Sequence, residues 1–110
     1  MGGRMERLES LLTEEISQVL LKDLSGSDLG LATVTGVKIA RDLSQATVYV
    51  SVLGDEARRQ QTIESLQRSA GYIKGLLGKR LHLKRIPRLQ FVDDPSLRQA
   101  DRIARLLKDG

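Results

Sequence analysis

The chain contains no cysteine and one histidine, His82. Disulfides and thiolate metal sites are therefore excluded, and little remains for zinc or for histidine-based catalysis. No apolar run approaches the roughly 18 residues that a membrane span needs. The opening MGGRMERLES lacks the hydrophobic core of a secretion signal, so a cytoplasmic protein is expected. Aromatics make up only 3% of the 110 residues, namely Tyr49, Tyr72 and Phe91. That scarcity argues against reading single-stranded bases by stacking and favours contact with backbone and folded shape. No phosphate loop, Ser-His-Asp set or metal cluster occurs, so no cofactor, metal or small-molecule substrate is expected. Asp93 and Asp94 invite a metal or catalytic reading, but adjacent strand-end carboxylates point apart. Asp94-Pro95 reads instead as an N-cap followed by the first residue of a helix.

Apolar residues account for 40% of the chain and charged residues for 29%, a globular composition. The length suits one domain, 1–110, with an ordered core over about 4–108. The net charge of +4 is unevenly placed. Between Ser65 and Val92 lie seven basic residues, Arg68, Lys74, Lys79, Arg80, Lys84, Arg85 and Arg88, and no acid. The remaining residues hold 11 basic and 14 acidic side chains, a net of −3. Crowded like charges cost free energy unless water or a partner compensates them, so this segregation suggests a polyanion footprint; the other reading is a solvated basic face.

Apolar spacing sets the elements. Leu8, Leu11, Leu12, Ile16, Val19 and Leu20 predict an amphipathic helix over about 4–24, followed by a loop, SGSDLG (25–30). LATVTGVKIA (31–40) and SQATVYVSVL (44–53) read as strands joined by Arg41-Asp42-Leu43-Ser44, with Gly36 at a bulge. Ala46, Val48, Val50 and Val52 share the inward face of the second. Ile63, Leu66, Ala70, Ile73 and Leu77 form one stripe that runs through Gly71, predicting two short helices meeting at Ser69-Ala70-Gly71 and ending near Leu81. Pro87 stops helix, RLQFVDD (88–94) is a third strand with Phe91 in the core, and Leu97, Ala100, Ile103, Ala104 and Leu107 pattern a last helix. On that helix Arg98, Arg102 and Arg105 share another face. The result is an α+β fold in the order α-β-β-α-kink-α-β-α. Its hairpin and helical crossover make a three-stranded mixed sheet with helices packed on one face.

The stretch SAGYIKGLLGKRLHLKRIPR (69–88) combines three glycines with the densest positive charge. A glycine in a helix interior costs about 1 kcal/mol relative to alanine. A bend at Gly71 exposes the first amides of the next helix, which favour an anion, and Lys74 would lie beside the same phosphate. Ser69 is small and suited to cap that helix. Gly71, Gly75 and Gly78 make either a smooth strip for close approach of RNA or a strip for helix packing. In KRLHLKR (79–85), Leu81 and Leu83 are expected inward, with His82 and the cations toward solvent.

TVTGVKIARDLSQATVYVSVLG (33–54), SAGYIKGLLGKRLHLKRIPRLQFVDDPS (69–96) and RIARLL (102–107) together resemble the ribosome-binding factor A family, over about residues 4–108. The element order resembles that of type II KH domains. The resemblance implies a non-catalytic factor that binds the small ribosomal subunit, 16S ribosomal RNA and its precursor during late maturation. It also implies support of precursor processing and of growth in the cold, and nothing calls for a dimer. Most KH domains clamp nucleic-acid backbone with a G-x-x-G loop, which this family replaces with Ala-x-Gly. Here the kink reads Ser69-Ala70-Gly71, a departure at its first position, and the loop 25–30 departs from the family's acidic-Pro-basic pattern. The expected RNA contacts are Ser69, Gly71, Tyr72, Lys74, Lys79, Arg80, His82, Lys84 and Arg85. The alternative is a protein-interaction module that docks an acidic protein through the basic segment.

Overall fold

Two apolar periods, 3.6 and 2, lay out the architecture. The computed structural model describes residues 3–22, 24, 32–83, 85–96 and 103–107. The first helix, α1 (Gly3–Lys22), buries Leu12, Ile16, Val19 and Leu20, while Leu11 at the margin of the stripe stays 37% exposed. The strands β1 (Ala32–Ile39) and β2 (Gln45–Val52) pair antiparallel, with the register shift between Val34 and Gly36 that Gly36 suggested. Ala46, Val48, Val50 and Val52 all point into the core. Their polar neighbours Thr47, Tyr49 and Ser51 lie on the open face, half-buried.

Gly54, at φ 120°, turns the chain out of β2 into Asp55, whose carboxylate accepts from the Arg58 amide at 2.8 Å and caps α2 (Glu56–Arg68). The helices α2 and α3 (Ala70–Arg80) form the crossover to β3 (Arg88–Asp93). Strand β3 lies parallel to β2, from Gln45 opposite Arg88 to Val50 opposite Asp93. The sheet order is β1-β2-β3, and the three helices cover one face of it. Leu66, Ile73, Leu77 and Phe91 close the core against the α1 stripe. Burying each such side chain contributes about 1.5–3 kcal/mol.

Two expectations change. Leu83 does not turn inward and is 37% exposed. Beyond Arg80 the backbone leaves the helix at Leu81 (φ −110°, ψ 137°), and Ile86 with Pro87 fills the core place instead. The stripe of the last helix does not join the core among the described residues, since Ile103 is 55% exposed and Leu107 78%. Leu97, Arg98, Ala100, Arg102 and the loop 25–30 lie outside the described residues.

A helix side chain answers each outer strand. Glu9 of α1 accepts from the Ile39 amide at 2.8 Å on the free side of β1. On β3 the Gln67 amide donates to the Leu89 carbonyl at 3.0 Å and accepts from the Phe91 amide at 2.9 Å. An unpaired strand edge is a template for association, so these contacts protect the sheet. Gln67→Ala removes both bonds on β3 and should lower the unfolding free energy by about 1–2 kcal/mol in urea titration. An unchanged midpoint and slope would count against this role.

Candidate nucleic-acid interface

The bend between α2 and α3 is a single residue. Ser69 sits at φ −88°, ψ −1°. Its amide donates to the carbonyls of Ser65 (3.1 Å) and Leu66 (3.0 Å), and its own carbonyl accepts from Ile73 at 2.9 Å. Helical hydrogen bonding thus runs through the bend. The Ser69 side chain makes no capping bond, contrary to expectation, because a residue at helical angles does not aim its hydroxyl at the next turn's amides. Gly71 needs no unusual backbone angle either: among the described glycines only Gly54 has positive φ.

The three glycines of α3 lie on its open surface. A Cβ built at Gly71, Gly75 or Gly78 would meet nothing within 4 Å. No part of the described chain packs on them, so packing among the described residues does not explain them. Each helical residue advances by about 100°, which places the three glycines within about 60° of arc. Lys74 borders that arc on one side, and Lys79 and Tyr72 border it on the other. Both lysines are exposed, and Tyr72 is 59% exposed. On the opposite side of the helix Ile73 and Leu77 are buried. The helix therefore presents bare backbone between two cations.

The other cations divide. Lys74, Arg85 and Arg88 line one groove of about 390 Å³ together with Leu43, Ser44, Gln45 and Ile86. The parallel register builds it: Gln45 lies opposite Arg88, which sets the start of β3 beside the hairpin tip. Arg80 turns away, to Glu15 of α1 at 3.2 Å. Arg68 lines a separate hollow on α2 with Arg58, and its guanidinium donates to the Ser65 hydroxyl at 2.9 Å. His82 is exposed, and Lys84 lies outside the described residues. The segment without acids in sequence thus meets acids in space, Glu15 at Arg80 and Asp42 near Arg85. Arg88 and the tip residues 43–45 were not among the expected contacts, because strand register is invisible until the strands pair.

The hairpin tip is tightly held. Asp42 Oδ1 accepts from the Ser44 hydroxyl at 2.6 Å and the Ser44 amide at 3.1 Å, and the Leu43 amide donates to Ala40 O at 2.9 Å. The Ser44 hydroxyl first, then its amide, holds the Asp42 carboxyl below the usual aspartate value. A lowered carboxyl pKa means the clamp is complete above the ordinary aspartate range and is lost only as the pH falls through the lowered value. Between these bonds Leu43 adopts φ 63° and stays 42% exposed.

Asp93 and Asp94 have structural partners. Asp93 lies 3.7 Å from Arg59. Asp94 accepts from the Thr35 hydroxyl at 2.6 Å and the Ser96 amide at 3.0 Å, the latter as expected of an N-cap. Among the described residues no group of three His, Asp or Glu side chains could hold a metal ion.

A family model described as ribosome-binding factor A matches residues 4–107. The chain belongs to the ribosome-binding factor A family. Ribosome-binding factor A from Desulforamulus reducens is 38% identical over 109 residues, covering 99% of this chain and 91% of that protein. The crystal structure of ribosome-binding factor A from Thermus thermophilus superposes with a TM-score of 0.70 at 27% identity, over 80% of this chain and 93% of that one. A homology model of the Thermus thermophilus factor, fitted into the cryo-EM map of a complex with 30S, gives 0.68 at 27% identity, over 81% and 93%. The fold is α+β and KH-like, as in the ribosome-binding factor A structures.

Proposed function

We propose that the protein is a non-catalytic assembly factor that binds the small (30S) ribosomal subunit through 16S ribosomal RNA during late maturation. In this reading it acts as a single-domain monomer, supports processing of the 16S precursor and aids growth in the cold. Family membership and the Thermus thermophilus 30S complex support the partner. The observation that carries the mode of contact is the exposed glycine face of α3 between Lys74 and Lys79. Without side chains, that face lets a sugar-phosphate strand approach the helix backbone. The bordering lysines then neutralise phosphate charge and release counterions. Lys74, Arg85 and Arg88 extend the cationic track to the hairpin tip. Tyr72 is the stacking residue beside it, and the contact reads backbone and shape.

A nuclease titration on purified small subunits tests this. RNase should release the bound protein in step with digestion of ribosomal RNA. Retention on the protein residue after complete digestion would favour an acidic protein partner instead. Arg80→Gln is expected to bind within about threefold of the wild type in a sedimentation titration, because the α1 carboxylate already occupies that guanidinium. A loss as large as that of Lys74→Gln would put Arg80 back among the contacts.

A further inference from the structure

We propose that Leu43, held out at the hairpin tip, packs against an unpaired nucleobase of the RNA whose phosphates lie in the Lys74–Arg85–Arg88 groove. The inference rests on the RNA-binding reading above and adds a contact to it. Three observations support it together. First, Leu43 has φ 63°. A branched apolar residue pays a steric penalty there that Gly or Asn would avoid, and such conformations persist only where surrounding structure fixes them. Second, the tip does fix it. Asp42 clamps Ser44 through amide and hydroxyl, and the Leu43 amide is tied to Ala40. The geometry that strains Leu43 also keeps it 42% exposed rather than folded onto the core. Third, Leu43 stands on the wall of the same groove as Lys74, Arg85 and Arg88. A phosphate drawn in by those cations places its nucleoside within reach of the tip.

The chemistry narrows the partner. Leucine has no hydrogen bond to give and offers only an apolar surface, for which the matching surface in RNA is the face of a base. In an A-form duplex those faces are stacked and the deep groove is closed to side chains. The base must therefore stand in a loop, bulge or strand end. Leucine side chains do serve as apolar wedges against bases elsewhere.

The test uses the full chain and purified small ribosomal subunits. Leu43→Asn and Leu43→Gly both suit positive φ, so each should fold with stability equal to or above wild type. Each should bind about five- to tenfold more weakly, with the salt dependence of binding unchanged, because an apolar contact releases no counterions. Leu43→Met should bind within about twofold of wild type. Wild-type affinity in Leu43→Asn overturns the proposal. So does a weakening accompanied by a shallower salt dependence, which would mean that Leu43 only shapes the cationic groove. The variant Lys74→Gln/Arg85→Gln/Arg88→Gln runs in parallel. If it binds like wild type, the RNA-binding reading of the groove itself fails. If it binds poorly while Leu43→Asn binds normally, only the Leu43 contact fails.

Discussion

Replacing Gly71, Gly75 and Gly78 together with alanine is expected to stabilise the free protein and weaken its binding to small ribosomal subunits. The stability side follows from the open space at each Cβ position. Alanine meets no neighbour, and each exchange in a helix interior gains about 0.5–1 kcal/mol. Gly71 and Gly78 lie near the ends of α3 and count for less, so the triple change should add about 1–2 kcal/mol. For a domain of this size that is a rise in Tm of about 5–10 °C. The binding side follows from the same space. Three methyl groups pave the face that a phosphate strand would touch, and a loss of about ten- to a hundredfold is expected in sedimentation titrations, about 1.4 kcal/mol per tenfold. Opposite signs in the two measurements are the signature of a surface kept bare for a partner. Stabilisation with unchanged binding would remove α3 from the interface, and destabilisation would restore the packing explanation.

The second large effect concerns charge. The variant Lys74→Gln/Lys79→Gln/Arg85→Gln/Arg88→Gln keeps the fold, since all four side chains are exposed. Deleting a charge-assisted bond to phosphate should cost roughly 1 kcal/mol, so the four substitutions together should weaken binding by roughly three orders of magnitude. The slope of log K against log salt should also become shallower by about 0.7–0.9 for every phosphate that is no longer neutralised. A weaker complex with the wild-type slope would mean that these cations do not neutralise phosphate. The control is Arg68→Gln, whose guanidinium lines the separate hollow on α2 and should leave both quantities near wild type.

Much of the fold was legible because the signals were local. The period-2 run in β2, the helical stripe through Leu66, Ile73 and Leu77, and the bulge at Gly36 each need only neighbouring residues to be read. The kink position was legible for the same reason, since helical spacing continues through Gly71. What the glycines are for was not legible. A glycine strip under another helix and one facing solvent have the same sequence, and only the empty space around them separates the two. The division of the cations was hidden too. Arg80 belongs to α1 because Glu15 lies across the fold, and Arg88 joins the groove because β2 and β3 pair in one register. Leu83 misled because alternation in a short coil carries no fixed inside, and Ile86 won the core position.

The backbone groups that Glu9 and Gln67 engage have a wider consequence. With Ile39, Leu89 and Phe91 already occupied, an extended tail or a second copy of the chain finds no ladder to continue at those points. At those points a partner would have to hold side chains or helix surface, and would not add a strand. A partner held only at such points would part from a sheet that stays closed, through competition or a change in ionic conditions.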